Sequence, residues 1–297
     1  MSDQVKLIPA SQFTIEDLTN AYNQTRVDYM VPMPMNAARL ASYVNTYNVD
    51  MDRSWVAIDQ ETDEMLGLAM LGVRAGRTWI TRLGVLPVRR RRGTGEALTR
   101  ALLNGTRELG RPLSILEVIK GNTPAHELFR KVGFHETREL VILRRPPGIP
   151  RVDTGRLIEN SQRIDPPPPP PGEANWLVKE EALDRLCGHP LCPAWTNEME
   201  SYINVEDPQG LEVNLGQEGK GWMIFRRQRF LLSHFVLHTE RGDPWAVGAA
   251  LVGHLYNRFP HIDTYVENIP ADDPHLPTLL HAGFLEVFRR IEMYWEG

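Results

Sequence analysis

A chain of 297 residues with 42% hydrophobic and 24% charged residues can bury a sizeable core and is long enough for two ordinary domains. A formal net charge of -5 gives no general attraction to nucleic acid or anionic membrane, so neither is an expected partner and any anion site must be local. The first residues lack the apolar stretch of a secretory signal, no apolar run is long enough to span a bilayer, and Cys187 and Cys192 are the only cysteines, so a reduced, cytoplasmic protein is expected.

Val5 to Pro9 reads as a short strand, and Ile15 to Arg26 shows helical apolar spacing after the cap Thr14. Ala37 to Tyr47 suggests a second helix. Strands follow at Trp55 to Asp59, Met65 to Val73 and Thr78 to Val85. The one dense basic run, Arg89 to Arg92, leads into Gly93, Thr94 and Gly95. Glu96 to Leu109 then carries apolar residues at Ala97, Leu98, Ala101, Leu102 and Leu109, which suits an amphipathic helix closed by Gly110. A strand at Leu113 to Ile119, a helix from Pro124 to Lys131 ended by Gly133, and a strand from Phe134 to Leu143 complete the series. This order predicts an α/β chain, a mixed sheet with helices on its faces.

Between Arg144 and Asn175 proline dominates, and the six consecutive prolines Pro166 to Pro171 favour an extended, semi-rigid connector. The expected organisation is a first domain at 1–145, a connector at 146–172 and a second domain at 173–297. Cys187 and Cys192 enclose His189, but no second ligand pair follows at zinc spacing, so no metal site is expected.

Strand, glycine loop and helix, in that order across Ile80 to Leu103, are what phosphate binding requires. Small residues let backbone N–H groups approach the anion, and the unpaired amides and dipole of the helix favour negative charge. The spacing is neither that of a Walker loop nor that of a dinucleotide fingerprint. Leu83, Val85, Pro87, Arg90, Gly93, Gly95 and Leu98 instead stand at the positions of Leu-x-Val-x-Pro-x-x-Arg-x-x-Gly-x-Gly-x-x-Leu. Downstream come Leu116-Glu117-Val118, then Asn122, Ala125, Leu128, Phe129, Gly133 and Phe134.

These two ordered signatures closely resemble those of the GNAT superfamily of N-acetyltransferases and cover most of residues 54 to 143. The resemblance implies an acyl-CoA N-acyltransferase fold with acetyl-CoA as the acetyl donor. By that likeness, backbone groups of Leu83, Val85 and neighbouring residues would bond the pantetheine arm. Amides of Arg91, Arg92, Gly93, Thr94 and Gly95 would hold the pyrophosphate with help from guanidinium groups, Arg90 and Arg92 above all. Asn122 would face the pantetheine side, and Glu117 would be the base that accepts the amine's proton. Glu117 reads equally as a polar residue at an exposed strand position or an ion-pair partner. Thr81 and Arg82 occupy positions where other members place an acid.

Phe129 stands where the family carries a tyrosine that protonates the departing thiolate, and a phenyl ring has no proton to give. It can still pack against the cofactor. Solvent, Tyr29 or Tyr47 would then supply that proton, or the domain binds the cofactor without turnover. Met30, Met33 and Met35 cluster with Tyr29 between the first helices, where the fold builds its acceptor site, and ordinary core packing explains them equally well.

Aligned on the pairs Gly133-Phe134 and Gly283-Phe284, Glu117 falls on Glu267, Glu136 on Glu286, Asn122 on Asp272 and Phe129 on Leu279. Gly221 to Phe225 and Phe230 to His238 resemble the paired central strands, and Ala246 to Leu255 the helix after the loop. The glycine loop has no counterpart at 239–245, where Glu240 and Asp243 would repel an anion. The chain therefore reads as two tandem GNAT-like domains, the second degenerate. The expected function is acetyl transfer to a primary amine of a small molecule or peptide, and the alternative is a non-catalytic acetyl-CoA sensor. An oligomeric assembly is compatible with either.

Overall fold

A computed structural model describes residues 5–148, 170–188, 193–205 and 207–297. Most of the proline run, with His189 and Cys192, lies outside the described residues, so the semi-rigid connector does too. The chain folds into two compact units, Met1–Glu139 with Arg290–Gly297, and Leu140–Arg289.

In the first unit, β1 (Val5–Pro9) leads into α1 (Ile15–Gln24), which starts at a capping box formed by Thr14 and Asp17. Then come α2 (Ala37–Thr46), β2 (Val49–Asp59), β3 (Met65–Val73), β4 (Arg77–Val85), α3 (Thr94–Glu108), β5 (Leu113–Ile119), α4 (Thr123–Lys131) and β6 (His135–Arg145). β1 to β4 form an antiparallel series and β5 joins β4 in parallel. Alternation along β4 and β5 sends Ile80, Leu116 and Val118 into the core under α3 and α4, with Leu98, Leu102 and Phe129.

The chain continues with β7 (Glu173–Leu177), α5 (Lys179–Cys187), α6 (Met199–Asn204), β8 (Pro208–Asn214), β9 (Gly219–Arg227), β10 (Leu231–Gly242), α7 (Pro244–Arg258), β11 (Asp263–Pro270) and α8 (Leu276–His281), all in the second unit, and ends with β12 (Leu285–Glu296), which crosses from the second unit to the first. β7 to β10 are antiparallel and β11 joins β10 in parallel, which repeats the plan of the first unit.

The expected boundaries at 145 and 173 divide the final strands differently from the structure. Residues 290–296 of β12 pair antiparallel with β5, from Arg290↔Ile119 to Glu296↔Leu113, and so complete the first unit. Residues 140–145 of β6 pair with β11 and complete the second. Side-chain burial is the physical reason: Met293 and Trp295 lie in the first core, Val141 and Leu143 in the second. Gly133, at φ 104, ends α4 where an added Cβ would lie 3.3 Å from the Trp295 ring. Glu292, 1% exposed, receives Nε and Nη2 of the half-buried Arg138 at 2.7 and 3.1 Å in a bidentate pair.

Among the described residues no helix is long and apolar enough to cross a membrane, and no group of three or more His, Cys, Asp or Glu side chains could hold a metal ion.

Candidate active site

β4 and β5 stay paired only from Arg77↔Leu113 to Ile80↔Leu116 and then diverge. Between Met70↔Thr81 and Leu68↔Gly84 the register with β3 slips by one residue, and Arg82 in that bulge has φ 53. A left-handed conformation costs a residue with a Cβ about 1 kcal/mol or more. Beyond the bulge the Leu86 N–H donates to the Leu66 carbonyl at 2.8 Å. Strand alternation therefore turns the backbone groups of Leu83 and Val85 toward the edge that β5 has left. That edge can receive an amide-bearing ligand as a strand would. Two side chains bond it here: Arg26 Nη2 donates to the Leu83 carbonyl at 2.9 Å and Arg90 Nε to the Val85 carbonyl at 3.2 Å.

Arg90 also grips the segment after α1, donating to the Thr25 carbonyl at 3.1 Å and to both carboxylate oxygens of Asp28 at 2.8 and 2.7 Å. Hydrogen bonding from Arg90 holds the Asp28 carboxyl below its usual range. The pair is exposed, so its contribution to stability is small. Arg89 is tied to Glu64 at 2.8 Å and Asp59 at 3.4 Å, while Arg91 and Arg92 are exposed.

α3 begins beside that edge without a side-chain cap. Its N-cap is Gly93 at φ 93, and the first helical bond runs from the Ala97 N–H to the Gly93 carbonyl. The amides of Thr94, Gly95 and Glu96 therefore have no partner within the helix. Thr94 Oγ1 is buried with no hydrogen bond among the described residues. An added Cβ at Gly95 would lie 3.3 Å from Leu128, so the glycine keeps this approach open. Arg91, at φ 62, makes the turn in a conformation that its side chain disfavours.

On the opposite face, under α1 and α2, Glu117 accepts a hydrogen bond from Trp79 Nε1 at 2.7 Å. Tyr43 and Tyr47 pack on Trp79 with ring centres 6.0 and 5.7 Å away. The Tyr43 hydroxyl bonds Thr81, and burial pushes its pKa up to about 12. Arg82 lies 4.0 Å over the Tyr43 ring and donates to the Tyr22 hydroxyl at 3.1 Å. Glu292 stands directly across from Glu117 in the β5–β12 register.

Asn122 is the N-cap of α4 and its Nδ2 lies 3.4 Å from the Tyr29 hydroxyl. Phe129 is 5% exposed and packs edge-on against Phe134. Met30 is exposed, and the backbone of Met35 is held by the Asn23 side chain at 3.0 and 2.9 Å. Leu83, Val85 and the 90–95 loop thus line one edge and helix end, with Asn122 and Tyr29 together and Glu117 on the α1/α2 face. Sequence reasoning did not find Arg26, Tyr22, Tyr43, Trp79 or Glu292. No spacing marks them, because each reaches the site through a long-range contact.

The second unit repeats the frame. Only Leu231 and Leu232 of β10 pair with β11, His234 has φ 56, and the register with β9 slips between Ser233 and Val236. There, however, buried side chains occupy the diverging strands: Asn197 Nδ2 donates to the Glu267 carbonyl at 2.8 Å and the Tyr202 hydroxyl to the His234 carbonyl. Burial pushes the His234 pKa down to about 4. Residues 239–245 form no counterpart of the 90–95 loop: β10 continues to Gly242 and α7 starts at Pro244. Asp243 caps α7, accepting from the amides of Trp245 and Ala246 at 3.2 and 3.3 Å. Glu240 pairs instead with Lys220 at 3.2 Å.

Residues 15–134 match the model of the Acetyltransferase (GNAT) family. No curated protein matches the chain by sequence. Among solved structures, the chain resembles a GCN5-related N-acetyltransferase from Sphaerobacter thermophilus at 12% identity, covering 99% of this chain and 96% of that one with a TM-score of 0.65. It also resembles a tandem GNAT protein from the clavulanic acid biosynthesis pathway (15% identity, 99% and 98% covered, TM-score 0.63). A third likeness is to a GCN5-related N-acetyltransferase from Anabaena variabilis (14% identity, 98% and 72% covered, TM-score 0.59). At these identities the likeness is one of fold.

Proposed function

We propose that this chain, whose residues 15–134 match the GNAT acetyltransferase family, moves the acetyl group of acetyl-CoA to a primary amine of a small molecule or peptide by means of its first unit. The observation that carries the proposal is the conjunction of an uncapped α3 N-terminus, a β4 edge that β5 has left, and the carboxylate of Glu117 on β5 itself.

When bound, acetyl-CoA supplies a thioester whose carbonyl carbon is open to attack by an amine. The amides of Thr94, Gly95 and Glu96 hold its pyrophosphate, with Arg91 and Arg92 adding charge from solvent. Leu83 and Val85 present strand-like donors and acceptors to the pantetheine amides, which take the place of Arg26 and Arg90 on the two carbonyls. Asn122 adds a side-chain amide, and Phe129 backs the slot from the core. Glu117 takes the proton that the amine loses as its nitrogen bonds the acetyl carbon and the carbon–sulfur bond breaks. The leaving thiolate takes its proton from solvent or from Tyr29, because Phe129 has none.

Phe129 is also what favours a second reading, an acetyl-CoA sensor without turnover. Calorimetry with acetyl-CoA and turnover on a panel of amines test both. Binding with turnover supports the transferase, binding alone supports the sensor, and no heat of binding overturns the acetyl-CoA site.

A further inference from the structure

Arg26 follows α1, and the hydrogen-bond acceptors of its half-buried guanidinium are neutral among the described residues. It donates to Thr25 Oγ1 and to the Leu83 carbonyl, each at 2.9 Å, and lies 4.1 Å from the Tyr22 ring centre and 5.6 Å from that of Tyr29. Tyr22, Tyr29, Tyr43 and Arg82 act on its charge. Arg82 shares the Tyr22 ring at 5.4 Å. Two cations therefore meet across one aromatic ring, and burial lowers the Arg26 pKa. A guanidinium has five N–H donors and keeps its charge, so Arg26 retains donors in a forked geometry that matches a carboxylate.

The strand is shaped around this side chain. An added Cβ at Gly84 would lie 2.6 Å from Arg26 Nη1 and 2.3 Å from Thr25 Oγ1, so a glycine is required for the guanidinium to rest on β4. Tyr43 leads from there to Glu117: Arg82 lies 4.0 Å over its ring, and Trp79, whose ring centre is 6.0 Å away, donates to Glu117 at 2.7 Å. Two guanidinium groups and one carboxylate thus surround the tyrosines.

We propose that the acceptor is a small amine that carries a carboxylate, bound by Arg26 with Arg82 while its amino group faces Glu117. The proposal rests on the transferase reading above. A zwitterion complements two cations and one anion, whereas a polycationic amine meets like charge there. Arg26 discriminates among acceptors by relieving its own buried charge.

The test is acetyl transfer by the full chain to carboxylate-bearing amines, both α- and ω-amino acids, against the same compounds as amides. The acids are expected to exceed the amides in kcat/KM by about 10²-fold. Arg26→Gln should bring that ratio close to one, chiefly by raising KM for the acids, and Arg26→Lys, which keeps the charge, should leave it well above one. Amides used as well as acids, turnover confined to neutral or polycationic amines, or a ratio that survives Arg26→Gln would each overturn the proposal. Absence of acetyl-CoA binding by the wild-type chain would overturn the transferase reading itself.

Discussion

The two units answer one question in opposite ways: what bonds the polar groups that a bulged strand and an adjacent helix leave exposed. Both have a positive-φ bulge, at Arg82 and at His234, and both lose the parallel ladder close to it. In the second unit the chain satisfies itself. Asn197 and Tyr202, 4% and 0% exposed, bond the diverging strands, and Asp243 caps the helix. In the first unit, Gly93 stands at the position matching Asp243 and leaves the helix end open, and exposed Arg90 holds the edge from a loop. Buried polar groups must find partners, so a fold whose own side chains supply them has little left for a ligand. A fold that leaves them to an exposed loop arginine leaves room for one.

The sharpest way to break the comparison is at its matched carboxylates. Glu117→Gln should lower kcat/KM by as much as about 10⁴-fold and move the rate profile to higher pH, because the acceptor must then arrive already neutral. Glu267→Gln should leave both unchanged. An unmoved profile in Glu117→Gln would assign the base elsewhere.

Transplanting the cap comes next. Gly93→Asp puts a carboxylate where the pyrophosphate is proposed to lie, and calorimetry should find acetyl-CoA binding weakened about 10³-fold, since like charges set together cost several kcal/mol. Gly93→Ala strains the same backbone without the charge and should weaken binding far less. Equal losses in the two variants would trace the effect to the backbone.

A smaller effect separates the units by pH. His234 has a folded pKa of about 4 against an ordinary 6.5, so between those values the unfolded chain binds more protons than the native one. Stability should therefore fall as pH drops from 6.5 to 4, by up to about 3 kcal/mol from this group. Denaturant midpoints for wild type and His234→Asn, which tolerates the positive φ, read that slope directly. A slope that persists in the variant would belong to other residues. Asp243→Ala should cost about 1 kcal/mol for the lost cap and leave acetyl-CoA binding intact. Weaker cofactor binding in that variant would give the second unit a part in the site.

Local features were legible in the sequence. The strands Val5–Pro9, Met65–Val73 and Leu113–Ile119 occur over the expected residues, because short apolar runs bounded by turn signals specify a strand locally. β2 begins six residues before the expected Trp55, since Asp50, Asp52, Arg53 and Ser54 interrupt the apolar run in its first half. In the second unit the absence of Gly-x-Gly spacing was visible, and the continuation of β10 directly into the Asp243 cap was not.

What the sequence by itself determined is the glycine-loop spacing from Leu83 to Leu98, the second signature from Leu116 to Phe134 and their faded repeat, because each is a pattern of neighbours along the chain. Tertiary structure alone decided which final strand closes which unit, and which side chains surround Glu117. Arg26 meets Leu83 across 57 residues, Arg82 meets Tyr22 across 60, and Arg138 meets Glu292 across 154. Contacts at such separations are selected by how buried surfaces fit and how buried charges find partners, and neither leaves a period or a spacing in the sequence.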